Sequence, residues 1–452
     1  MNPQKSGISR RSFLKRTAAF SSIAFLPSSA WAVVRNDKLR TAHIGVGGMG
    51  ASDLASIASH PQVEIAALCD VDSGYLAAAR RLYPGARVYS DYRALLEEMN
   101  GAIDAVVVST PDHTHAPASV MAMEMGKHVY CQKPLTHHIS EARNMAGIAS
   151  EKGLVTQMGI QVHSFYDYRL ATHLIRSGII GKVSTVRAWS PKNWGYDGPA
   201  PTGSDPVPGT LDWNLWLGTA PGRPYKKDLY HPVNWRKILD YGCGTLGDMG
   251  VHIFDTPYHA LELDVPKTVM TSCREPNGFA HPEKNVVTYE FPGTRFTTRR
   301  LKWVWYDGKG APGEHEDLIL PGNEKLPEQG AMFIGRKGRL LLPHFMELPR
   351  LIVDGNYEPL DMEEIAKSFE PEPSVREYEQ EGNKHYHQFV DACLGKGQCS
   401  APFSYASRLT ETILLGVVAN RFPDRTLKWD RESAQFRLDE ANRFLDAEYR
   451  EF

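Results

Sequence analysis

Lys133, Asp248 and His252 are the residues of this 452-residue chain whose types and spacing suit proton transfer. Oxidising a secondary alcohol takes a hydride from carbon and a proton from oxygen, so a basic group must reach the hydroxyl. Lys133 stands in Cys131-Gln132-Lys133-Pro134, directly after an apolar run. A lysine desolvated beside a cationic ring is pushed towards its neutral form, and would act as base or, in reverse, as proton donor. Asp248 and His252 are four apart in Gly247-Asp248-Met249-Gly250-Val251-His252, hence on one face if that stretch is helical. His252 would then shuttle the proton while Asp248 orients the substrate. The spacing equally suits a surface pair or two metal ligands. His113, His115, His137, His138 and His259 supply no compact ligand pattern, so no metal is expected.

A hydride also needs an acceptor, and Gly45-Val46-Gly47-Gly48-Met49-Gly50 reads as the turn that holds one. It matches G-x-G-x-x-G, whose glycines let the backbone approach a pyrophosphate at a helix N-terminus. Asp70 follows 20 residues after Gly50, the spacing of a carboxylate that accepts hydrogen bonds from an adenosine ribose. A carboxylate there repels a 2′-phosphate, which favours NAD over NADP. Arg80 and Arg81 lie further on.

These residues need a scaffold. Short apolar runs at Leu39–Val46, Val63–Leu68, Asp104–Val108, Lys127–Tyr130 and Leu154–Gln157 alternate with helical patterns. That alternation predicts a doubly wound parallel sheet of α/β class, a Rossmann-type domain over 33–158. Strand-like runs at Asn285–Phe291, Arg295–Trp305, Met332–Ile334 and Arg339–Leu341 predict a second, α+β domain over 159–452 with a large open, mostly antiparallel sheet. A late helix near 406–420 is expected to pack back on the first domain.

The segment Ser109-Thr110-Pro111-Asp112-His113-Thr114-His115 resembles the Thr-Pro loop of the Gfo/Idh/MocA oxidoreductase family. Lys133-Pro134 matches that family's Glu-Lys-Pro, with Gln132 in place of the glutamate, and Asp248/His252 match its D-x-x-x-H pair. The resemblance spans nearly all of residues 39–430. It implies Lys133, Asp248 and His252 as catalytic, and Gly45, Gly47, Gly48, Met49, Gly50, Asp70, Thr110, Pro111, His115 and Lys133 as cofactor-binding. It also places His163, Tyr168 and Arg169, just past the first domain, beside the substrate, and implies an oligomer paired through the second domain.

Five of the nine tryptophans fall between Trp189 and Trp235 in a stretch rich in proline and glycine. Tryptophans stack on sugar rings, so Trp194, Trp213, Trp216 and Trp235 suggest a carbohydrate cleft; the alternative is that they bury the loop against its own domain.

Residues 1–32 contain Lys5, Arg10, Arg11, Lys15 and Arg16 and no acidic residue. Arg10-Arg11, then Phe13-Leu14-Lys15, the apolar stretch Thr17–Leu26 and Ala30-Trp31-Ala32 predict a cleavable twin-arginine signal. Such a chain would meet the twin-arginine translocase and be exported or periplasmic. The apolar stretch is too short for a membrane span. Removing the leader turns the net charge of −2 into 46 basic against 53 acidic residues, or −7. That balance argues against a nucleic-acid partner. A mean hydropathy of −0.37 excludes a polytopic membrane protein. Among six scattered cysteines, Cys393 and Cys399 are the one local pair.

The combined expectation is an exported enzyme that transfers hydride between tightly held NAD and a sugar, polyol or glycoside. A second expectation is a glycosidase or lyase that transiently oxidises a sugar hydroxyl. A third is a sugar-binding protein without catalysis.

Overall fold

The computed structural model describes residues 38–371 and 377–452, so the expected leader and its twin arginines lie outside the described residues. Six strands form a wholly parallel sheet: β1 (Leu39–Ile44), β2 (Val63–Cys69), β3 (Arg87–Tyr89), β4 (Ala105–Val108), β5 (His128–Gln132) and β6 (Thr156–Gly159). Their order is β3-β2-β1-β4-β5-β6. The central strand β4, Ala-Val-Val-Val, is buried along its whole length, as a strand covered by helices on both faces must be. Between the strands run α1 (Met49–Ala58), α2 (Ser73–Leu82), α3 (Tyr92–Met99), α4 (Asp112–Glu124) and α5 (Ile139–Lys152). Asp72 and Asp91 cap α2 and α3 by accepting the main-chain N–H of Gly74 and Arg93. The short edge strand β3 was not expected, because Arg-Val-Tyr offers no apolar run.

After α6 (Tyr166–Ser177) and β7 (Val183–Ser190), residues 191–245 make a long excursion that includes α7 (Trp213–Leu217). The chain returns through a π-helical turn, Leu246–Gly250, into α8 (Val251–Ala260). The second sheet comprises β7, β8 (Thr268–Ser272), β9 (Asn285–Pro292), β10 (Thr297–Asp307), β11 (Gly330–Gly335), β12 (Arg339–Pro343), β13 (Arg350–Val353), β14 (Asn356–Glu358), β15 (Leu427–Asp430) and β16 (Gln435–Phe436). Its order is β14-β13-β12-β11-β7-β10-β9-β8-β15-β16, antiparallel except where β7 runs beside β10. Alternation in β9 puts Val287, Tyr289 and Phe291 on one buried face, where Phe254 of α8 stacks on Trp303 at 4.2 Å.

Four further helices follow among the described residues: α9 (Met362–Ile365), α10 (Tyr378–Cys393), α11 (Phe403–Ala419) and α12 (Asp439–Asn442). Buried Glu411 of α11 pairs with Arg143 of α5 at 2.7 Å, and Thr410 Oγ1 accepts the Leu135 N–H at 3.3 Å. These contacts tie α11 to the parallel-sheet layer, and the described residues form one compact unit. All six cysteines are free thiols; Cys393 and Cys399 pack in one apolar cluster without a bond between them. Among the described residues no helix is long and apolar enough to cross a membrane.

Candidate active site

Strand order reverses between β1 and β4, and a crevice opens at the carboxyl ends of strands at such a point. The glycine turn leaves β1 there and Ser109-Thr110-Pro111 leaves β4. Gly45 has φ +86°, and a Cβ on it would lie 2.6 Å from Ser109 O; one on Gly50 would lie 2.2 Å from Gly45 O. Backbone therefore packs on backbone, leaving room for glycine alone. No side chain caps the start of α1; Gly50 and Ala51 turn their N–H groups to Gly47 O at 2.9 Å and Gly48 O at 3.2 Å, and the partial positive charge of the helix start favours an anion there. Asp70 is fixed at the end of β2 by accepting the N–H groups of Val46 at 2.8 Å and Asp72 at 2.9 Å. Its carboxylate retains lone pairs for ribose hydroxyls. A glycine cradle, an uncapped helix start and a fixed carboxylate fit a dinucleotide.

His115 does not face this crevice with a free nitrogen. Its ring lies between Pro134 O at 2.8 Å and Thr110 O at 2.9 Å, and burial pushes its pKa down to about 4. It is a strut that fixes the Thr110-Pro111 loop against the Lys133-Pro134 turn.

Lys133 leaves the carboxyl end of β5 and meets Asp248, brought in by the π-helical turn. Lys133 Nζ donates to Asp248 Oδ1 at 2.7 Å and to Asp248 O at 3.2 Å. Arg236 Nε reaches Oδ1 at 3.2 Å, and Trp194 Nε1 reaches Oδ2 at 2.6 Å. Burial alone would raise this carboxyl, but Lys133 and Arg236 outweigh it and hold Asp248 well below the usual carboxylate range. His252, four residues on, is driven the other way: burial, Lys133 and His344 keep it neutral, and its Nδ1 has no hydrogen-bond partner. A permanently ionised carboxylate, a lysine and a neutral imidazole thus share one crevice.

Of the substrate candidates, Trp194 joins this centre, with its N–H on Asp248 and the Arg236 guanidinium 5.5 Å from its ring. Trp235 reaches it only through Arg236, whose guanidinium lies 4.3 Å from the Trp235 ring. Trp235 is buried in the excursion's own core with Trp216, Tyr230 and Tyr241, and its Nε1 donates to Pro232 O at 3.2 Å. Trp213 and Trp216 stack on each other at 4.7 Å in the same cluster. The large rings that suggested a cleft mostly fold the loop, because a 55-residue excursion needs apolar mass of its own.

His163, Tyr168 and Arg169 line a separate cavity of about 160 Å³, with Ser164, Asp255 and His259. His163 Nδ1 lies 2.9 Å from both oxygens of Asp255, which also accepts the Tyr405 hydroxyl at 2.7 Å. Arg169 is committed to Glu370 and to Ser164 O. Only Tyr168 reaches towards the Lys133 centre: its hydroxyl lies 2.6 Å from His344 Nδ1, and the His344 ring lies 6.1 Å from that of His252.

Three members of the site were not singled out from sequence. Arg236 and His344 stand in irregular segments with no motif around them. Asp112, inside the quoted Thr-Pro segment, is buried and accepts the Cys243 N–H at 3.0 Å; burial pushes it up to about 7 against the pull of Arg236 and Lys133. Among the described residues no three His, Cys, Asp or Glu side chains converge as metal ligands.

Known proteins share these features. A family model described as "Oxidoreductase family, NAD-binding Rossmann fold" (Gfo/Idh/MocA) matches residues 39–160, and the family's "C-terminal alpha/beta domain" matches 166–291. Together they span more than half of the chain. The uncharacterised oxidoreductase YdgJ of Escherichia coli K12 is 23% identical over 400 residues, covering 84% of this chain and 96% of that protein. An alpha-N-acetylgalactosaminidase of Shewanella oneidensis is 28% identical over 205 residues, 39% of this chain and 44% of that protein. The match to this second relative thus spans less than half its length. An inositol dehydrogenase homologue from Azotobacter vinelandii, solved with NADH and myo-inositol, superposes with a TM-score of 0.63 at 18% identity, over 87% of this chain and 98% of that one. That likeness is one of fold.

Proposed function

The chain belongs to the Gfo/Idh/MocA oxidoreductase family, and from that premise we propose that it transfers hydride between bound NAD and a hydroxyl-bearing carbon of a sugar, polyol or glycoside. The observation that carries this reading is the 2.7 Å contact of Lys133 Nζ with Asp248, set beside a neutral His252 whose Nδ1 is buried without a hydrogen-bond partner. Gly45, Gly47, Gly50, the start of α1, Asp70 and the Thr110-Pro111 loop would hold the dinucleotide, which when bound supplies the hydride acceptor.

Lys133 uses two of its three N–H groups on Asp248 and keeps the third for a substrate oxygen. Asp248 fixes the direction of that N–H and holds its position through Trp194 and Arg236. His252 is the proton acceptor, because burial and the charge of Lys133 keep its imidazole neutral. His344, whose ring lies 6.1 Å from that of His252, and Tyr168 beyond it stand next along from the acceptor. In the reductive direction the same groups return it.

The twin-arginine reading completes the proposal. An enzyme exported already folded carries its NAD with it, and recycles it on the protein by oxidising one sugar and reducing another.

A second reading, a redox-neutral glycosidase or lyase, is favoured by the likeness to the alpha-N-acetylgalactosaminidase. It needs an extra base for C–H abstraction beside the oxidised carbon, a place that the His163–Asp255 pair in its separate cavity does not hold. Purified protein, given no added cofactor, is incubated with free sugars, polyols and aryl glycosides while 340 nm absorbance and aglycone release are followed. Absorbance change with a sugar, or turnover only with a second carbonyl acceptor, supports hydride transfer. Aglycone release without net NADH supports the second reading and sinks the first.

A further inference from the structure

A fully buried carboxylate stands on the helix of the glycine turn. Asp53 of α1 is 0% exposed, and each of its hydrogen-bond partners is a donor. Ser109 Oγ donates to its Oδ2 at 2.6 Å and the Tyr386 hydroxyl to its Oδ1 at 2.5 Å. Gln132 Nε2 lies 3.0 Å from each oxygen. The other end of that same amide faces the lysine: Gln132 Oε1 accepts the Lys133 main-chain N–H at 3.1 Å. The amide fits because residue 159 is glycine, where a Cβ would lie 2.8 Å from Gln132 Cδ.

Three donors on one side chain demand an acceptor-only group, which an ionised carboxylate is and an amide is not. The bonds join four elements: α1, the ends of β4 and β5, and α10, which carries Tyr386. Burial raises the Asp53 carboxyl above its ordinary value, and its three donors and the charge of Lys133 offset that rise only in part. The interaction with Lys133 is reciprocal, so Asp53 acts on the lysine by charge as well as through Gln132.

We propose that Asp53 is a positioning residue for Lys133, orienting the lysine main chain through Gln132 and adding a buried negative charge to that of Asp248. The relevance to catalysis rests on the function proposed above, but the placement of lysine and charge does not, and it is tested without a substrate.

Wild type, D53N and D53N/Q132E are methylated with formaldehyde and a borane reductant, and the rate at Lys133 is read by peptide mass spectrometry against exposed Lys309. Losing the charge enlarges the free-amine fraction, so D53N raises the Lys133 rate about threefold. D53N/Q132E puts one carboxylate back in the pair and returns the rate to the wild-type value. An unchanged rate in D53N, or a double variant as fast as D53N, overturns the proposal. Should D53N not fold, Q132E decides alone. Two carboxyls in this contact cannot both ionise, so the folded chain keeps a proton that the unfolded chain releases. The melting temperature of Q132E relative to wild type then falls between pH 5 and pH 8. An equal difference at both pH values overturns the charge on Asp53.

Discussion

Trp194 Nε1 donates to Asp248 Oδ2 at 2.6 Å, the one carboxylate oxygen that Lys133 leaves open. The indole therefore completes the fixing of the catalytic carboxylate instead of offering its face alone to a sugar. Trp194→Phe keeps the ring and removes the donor. A hydrogen bond to a charged group contributes about 1.5–3 kcal/mol, so kcat should fall about tenfold or more. The bound nucleotide, released by denaturation and measured by absorbance, should be unchanged.

Lys133→Ala leaves Asp248 with Arg236 as its only cationic partner and leaves no donor for the substrate oxygen. Turnover should drop by about a thousandfold. Lys133→Arg should not restore it, because a planar guanidinium cannot occupy the place of a compact ammonium bonded to both Asp248 Oδ1 and Asp248 O. Steady-state kinetics with any sugar that turns over checks both.

Asp307, at the end of β10, is a buried carboxyl pushed up to about 8 by desolvation, with Trp305 Nε1 donating to it at 2.7 Å. Its folded pKa exceeds the unfolded value near 4, so the folded chain holds a proton that the unfolded chain releases. Stability from this group is full below about pH 4 and is lost as pH rises to about 8. Asp307→Asn mimics the protonated form. Its melting temperature should exceed that of wild type by several degrees at pH 8 and match it at pH 4.

Gly50→Ala places a methyl group 2.2 Å from Gly45 O, a backbone atom that cannot swing aside. The turn must open, and the nucleotide recovered per chain should fall at least tenfold while far-ultraviolet circular dichroism stays near wild type. Full nucleotide content would show that the turn does not hold it.

Much of this architecture was legible because its signals are local. The glycine turn, Asp70 and the apolar strands of the first sheet each declare themselves within a few residues, and the observed strands differ by one or two positions. The three-residue β3, the outer strands β13 to β16 and the interior strands β7 and β8 were missed: the outer ones are too short for a long apolar pattern, and β7 mixes Ser184, Thr185 and Arg187 among its apolar residues. Asp248 and His252 were expected on an ordinary helix; the π-helical turn beneath Asp248 has no sequence mark. Asp53 was invisible for a different reason. An aspartate on an amphipathic helix reads as solvent-facing, and only the folded chain brings Ser109, Gln132 and Tyr386 around it. Trp235 misled because buried and sugar-stacking tryptophans are the same residue in a sequence.

The excursion of residues 191–245 touches both ends of the crevice. Near its start and end it delivers Trp194 and Arg236 to Asp248. Midway it is stitched to the chain just past Asp70: Ser73 N–H donates to Thr210 O at 2.8 Å, Asp212 N–H to Val71 O at 2.9 Å, and His231 lies 3.3 Å from Asp72. The clasp over the adenosine edge and the brace behind the catalytic carboxylate are thus one piece of chain with one aromatic core. A change that loosens the excursion beside Asp70 therefore reaches Asp248 through that same aromatic core, and the two ends of the crevice share one support.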